Sequence, residues 1–217
     1  MAAWLGKWGP LAGVISGLLF AGGIVSGSGA PDSTASGQQV ITWYTAHHSG
    51  ETVSNLLGGL AMFFLVVFAA VLVGHVRQGE RWIAAGALAG AGCAAIGLTA
   101  TLGFNFILAT DTAKLTPGSA QTLMLLGNDF FLPAAVGLGL FGVLGGLAVV
   151  AGRILPAAMG WVLLVLGVAA LIPGLSWFAL LATMIWVLVA GVWLTRQGPP
   201  ALDREVAPAE QQVPSLT

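Results

Sequence analysis

An all-α bundle of six transmembrane helices, with a short extracytoplasmic interfacial helix between the first two, is the fold class this sequence predicts. Three observations predict it. The 217 residues are 57% hydrophobic and only 7% charged, whereas a soluble domain carries charge on about a quarter of its residues. The apolar residues fall into six runs of about 18 residues or more, close to the roughly 20 that carry a helix across a hydrocarbon core of about 30 Å. Segments rich in Gly, Pro, Ser or charge separate those runs.

The first run, residues 8–26, follows Lys7 and ends in small residues. That order also suits a cleavable signal peptide, but the run is nearer to a full span and is read as a retained first helix. Residues 27–36 have loop composition. Ser36 followed by Gln39 is a capping-box pattern. The residues after it place Val40, Ile41, Trp43 and Tyr44 on one helical face. An interfacial helix over residues 37–48 is expected, with Trp43 and Tyr44 at headgroup level.

The second span covers residues 52–76 and the third residues 82–108, joined by a polar turn that contains Arg77 and Arg81. The third is dense in small residues, with Gly86 and Gly90 in GxxxG spacing, so a neighbouring backbone can approach it closely. Cys93, the single cysteine, lies in that run and reads as a small core residue. The fourth span, residues 121–152, carries Asp129 near its start, Pro133 one turn later, and a second glycine pair, Gly142 and Gly146. Proline removes a backbone donor, so a kink is expected there. Spans over residues 155–172 and 177–195 follow, so the membrane domain is residues 1–196. Residues 197–217 are polar and Pro-rich and are expected to be a disordered cytoplasmic tail.

With six spans both termini share one side. Lys7, Arg77, Arg81, Arg153, Arg196 and Arg204 fall on that side, and only Lys114 on the other. The positive-inside rule then makes the termini cytoplasmic, in a bacterial inner membrane. A formal net charge of -1 and no basic patch exclude a nucleic-acid footprint.

Counting helical rise from the cytoplasmic arginines places Asn55, Asn105 and Asp129 at one height, roughly 33–36 Å away, at the outer edge of the hydrocarbon. An ionisable group near lipid is a functional candidate by default. Asp129 is therefore the candidate catalytic acid, with Asn55, Asn105 and Asn128 as orienting groups. Phe104, Phe130 and Phe131 are candidate substrate contacts, and so are His48 and Glu51, which share a helical face with Asn55. The competing reading is that polar residues are ordinary at an interface. Although imidazole and carboxylate suit Zn or Cu, His47 and His48 point about 100° apart, so neither a metal nor another cofactor is expected. No hydrolase, zinc-protease or nucleotide-binding motif is present.

The aromatic pair and histidines Trp43, Tyr44, His47 and His48, the second span closed by His75-Val76-Arg77, and Pro156 with Gly160-Trp161 at the start of the fifth span together resemble small, uncharacterised multi-pass membrane proteins of high-GC Gram-positive bacteria. That resemblance implies no particular activity. In broad design the chain is also similar to integral-membrane isoprenoid cyclases, a likeness of fold alone. The expected function is therefore the handling of a lipophilic small molecule in an outward-opening pocket. Its catalytic version is acid-initiated isoprenoid cyclisation or isomerisation, in which a carboxyl kept protonated by apolar surroundings donates a proton and aromatic faces stabilise the cation. Two alternatives stand beside it. One is an accessory subunit that meets a membrane partner or a second copy through the Gly-rich third and fourth spans. The other is a small transporter of a lipophile.

Overall fold

The computed structural model describes residues 8–31, 33–76 and 81–197, and among them every regular element is helical. These are α1 (Leu11–Ser26), α2 (Gly37–His75), α3 (Arg81–Thr110), a 3₁₀ turn (Thr112–Lys114), α4 (Pro117–Asp129), α5 (Phe131–Gly152), α6 (Ala157–Ala170) and α7 (Ser176–Gln197). Four stretches are long and apolar enough to cross a membrane: α2, α3, α4 with α5, and α7. The apolar helices α1 and α6 are shorter, at 16 and 14 residues. Lys7, Arg77, Arg204 and all but the first residue of the expected tail lie outside the described residues.

Six helices close into a ring. α1 packs on α2 and α7, α2 on α3, α3 on α5, α5 on α6, and α6 on α7. The interior is apolar: Met62, Leu65 and Phe68 of α2 face Leu98 of α3, Leu138 and Phe141 of α5, and Leu180 and Trp186 of α7. The Trp186 indole also donates to Met159 O at 2.9 Å, which ties α7 to the start of α6.

Glycine makes two of the seams. A Cβ at Gly137 of α5 would collide with Ala94 N, and one at Gly90 of α3 with Phe141 N. On the other side of α5, a Cβ at Gly142 would strike the Gly167 backbone, and one at Gly146 would lie 2.6 Å from Gly160 O. Gly86 faces the Leu144 side chain. Helix backbones approach this closely only where small residues line the contact. Both GxxxG pairs therefore close seams within the chain, and a partner would have to use another face. Cys93 is exposed, on the side of α3 turned away from the core position expected for it.

Two helices differ from the expected elements. The segment read as a separate interfacial helix, residues 37–48, is the first part of α2, which runs unbroken for 39 residues, about 58 Å at 1.5 Å per residue. Gly50 does not interrupt it, and the lack of a side chain there admits Ser26 O, which a Cβ would meet at 2.6 Å. The fourth expected span is two helices. Its first part begins at Pro117, with Thr116 as N-cap and Ser119 completing a capping box. It breaks at Phe130, because Pro133 has no N–H for the Asp129 carbonyl and its ring excludes that carbonyl from the helical position. Pro133 then sits in the first turn of α5, where proline costs least.

Beyond the ring, at the end away from Arg81, Arg153 and Arg196, α2, α3 and α4 continue into a three-helix cap. Val40 and Tyr44, Leu108 and Ala109, and Ala120 and Met124 make its small core. Both capping boxes lie here, and Gly37 packs directly on the carbonyl of Pro117. The starts of α2 and α4 are thereby held side by side.

Candidate functional site

The polar residues gather where the cap meets the ring, and α2 supplies most of them. Tyr44, Glu51 and Asn55 follow i, i+7, i+11 and so fall on one helical face. All three are buried, with 0%, 7% and 6% of their surface exposed. Among the described residues Glu51 is the sole buried acid.

Glu51 is covered from the side by the end of α1 and the loop after it. Its Oε1 accepts the Ser28 backbone N–H at 2.7 Å. Gly27 permits that approach, since a Cβ there would fall 2.9 Å from Ser54 Oγ. The Tyr44 hydroxyl donates to Asn105 Oδ1 at 3.2 Å, joining α2 to α3. Burial, and next the nearby Glu51 carboxylate, push the Tyr44 hydroxyl well above the ordinary tyrosine range, which keeps it a donor. Thr101 Oγ1 donates to Gly127 O at 3.0 Å and so ties α3 to α4. Asn55 is the exception: its Nδ2 is buried and has no hydrogen-bond partner.

Not all of the residues singled out in the sequence meet here. Asn55 and Glu51 are buried on one face, and Asn105 is half-buried with Tyr44 as its partner. Asn128 and Asp129 are exposed at the α4–α5 junction. There Asp129 directly precedes α5, where an acid is favoured by the helix dipole. Phe104 and Phe130 pack on one another, ring centroids 5.4 Å apart, and Phe131 packs on Trp177 at 6.1 Å. His48 is exposed, while His47 stacks on Trp43 with centroids 4.5 Å apart. Among the described residues no three His, Cys, Asp or Glu side chains converge as a metal site would require.

Tyr44 is the site residue that sequence reasoning assigned elsewhere. Its seven-residue spacing from Glu51 carried the signal, which becomes readable once α2 is known to be continuous. Below the polar group, along the same face of α2, come Gly58, Met62 and Leu65. Leu102 of α3 lies over Gly58, and beneath it a narrow crevice runs between α2, α3, α5 and α7, lined entirely by apolar residues that include Leu98, Phe131 and Leu138. The arrangement sets a buried carboxylate and a buried amide above a narrow apolar crevice. No family model, curated protein or solved structure matches the chain.

Proposed function

We propose that this membrane protein binds one amphipathic lipophile. The polar part of the ligand meets Asn55 and Glu51, and its apolar part enters the crevice between α2, α3, α5 and α7. In this reading the arginine-bearing end is cytoplasmic in a bacterial inner membrane, and the cap and the polar group face outward.

The observation that carries the reading is the Asn55 amide. A buried donor left without an acceptor costs about 1–3 kcal/mol, and such a group in a native fold calls for an explanation. A ligand oxygen placed against Nδ2 supplies one. The apolar crevice about two to three turns below supports the same reading, because ligand sites combine apolar walls with a few convergent polar groups. The crevice is narrow, so an occupant has to part side chains such as Leu102 and Phe131.

Native mass spectrometry of the gently purified protein tests the proposal on the wild type, Asn55→Leu and Asp129→Asn. A bound lipophile is expected on the wild type and on Asp129→Asn, and is expected to be lost from Asn55→Leu. A bare wild-type protein, or an adduct retained equally by all three, overturns it.

A further inference from the structure

We infer that the polar end of this site selects an uncharged, hydroxyl-bearing head group, as in a diacylglycerol or a long-chain alcohol, over a phosphate or carboxylate. The inference rests on the binding reading above and adds the class of ligand. Asn55 and Glu51 are i, i+4 neighbours on α2, with Cβ atoms about 6 Å apart. One presents a donor without a partner and the other a carboxylate whose single hydrogen bond comes from Ser28 N. A hydroxyl is the smallest group that satisfies both, accepting from Asn55 Nδ2 while donating to the carboxylate.

An anionic head group finds no counter-charge. Among the described residues the cation on the cap side is Lys114, which is exposed and already paired with Asp111 at 2.6 Å. Arg81, Arg153 and Arg196 stand at the other end of the bundle. Asn105 of α3, neutral, is bonded to Tyr44 beside the site, and among the described residues of the α1–α2 loop the Ser28 backbone reaches Glu51. His47 is engaged with Trp43, and His48 points outward. Glu51 gives an anion nothing in either charge state: ionised it repels, and protonated it adds one donor to a phosphate that needs several.

Two lipids with identical tails separate the possibilities. Purified, delipidated protein is titrated with dioleoylglycerol and with dioleoylphosphatidate, and retention is read by native mass spectrometry. The wild type is expected to retain dioleoylglycerol at least about tenfold better, a difference of about 1.4 kcal/mol. Asn55→Leu should lose it. Glu51→Gln, which removes the repelling charge, should narrow that preference by retaining phosphatidate better than the wild type does. Equal or stronger retention of phosphatidate by the wild type overturns the inference while leaving lipid binding intact. If neither lipid is retained the inference falls, and the lipophile that copurifies with wild type but not with Asn55→Leu tells whether the binding reading survives.

Discussion

The two sides of α3 follow opposite rules. Toward α5, at the level of Gly90 and Ala94, backbone meets backbone and no polar side chain takes part. Toward α2, nearer the cap, the contact includes one side-chain hydrogen bond, Tyr44 to Asn105, close to a buried carboxylate and an amide without a partner. The first contact leaves no room and nothing unsatisfied; the second leaves a donor unsatisfied. On the proposed reading, stability rests on the first contact and binding beside the second, and substitutions at each should behave differently.

The largest effect belongs to the tight face. Gly137→Leu forces a side chain into the Ala94 backbone and is expected to cost on the order of 3 kcal/mol or more, beyond ordinary overpacking. Gly92→Leu, on α3 but with nothing near its Cβ position, should be close to neutral. Unfolding in detergent compares the two; equal stability would show that the seam is not backbone-limited. On the polar face, Asn55→Leu removes the unsatisfied donor and should stabilise the ligand-free protein by about 1–3 kcal/mol, as expected where stability has been traded for binding. A loss of stability would mean that the amide has a structural partner.

Tyr44→Phe deletes one hydrogen bond and should cost about 1 kcal/mol near neutral pH. Its pH dependence is more specific. The folded protein holds the Tyr44 proton more tightly than the unfolded chain does, so this contribution is whole below the ordinary tyrosine value of 10.0 and is lost as pH rises beyond it. Tyr44 is the single tyrosine, so tyrosinate absorbance reports on it alone. Ionisation of the folded protein at the ordinary value would refute the burial argument. Asp129→Asn, on an exposed residue, should change stability by less than about 0.5 kcal/mol. A larger change would return that residue to the centre of the site.

Much of the fold was legible because it rests on local rules. Helical class follows from apolar run length, the start of α2 from Ser36 and Gln39, and close helix packing from the glycine spacing. The start of α4 was legible too, in the Thr116-Pro117 pair ahead of Ser119, though the apolar run drew attention further along. The site was less readable because its burial comes from distant chain. Glu51 is covered by Ser28, 23 residues earlier, and no periodicity on α2 announces that contact. The rise from Arg153 to Asp129 lies almost wholly within α5, but a height says nothing of which side a residue faces, and Asp129 is exposed at the α4–α5 junction. The shared face of Val40, Ile41, Trp43 and Tyr44 suggested a helix lying on a membrane surface, whereas Val40 and Tyr44 fill the core of the cap.

One dimension of the bundle bears on the bilayer itself. α6 spans 14 residues, about 21 Å, beside α5 and α7 at 22 residues and about 33 Å each. The turn after α6 carries Leu171, Ile172 and Leu175 with their side chains exposed. A bilayer fitted to α5 and α7 would meet a shorter helix at α6, and the apolar residues of the turn after it extend its greasy surface, so that the mismatch left for thinning or tilt to relieve, at fractions of a kcal/mol per ångström, is smaller than the helix lengths alone imply.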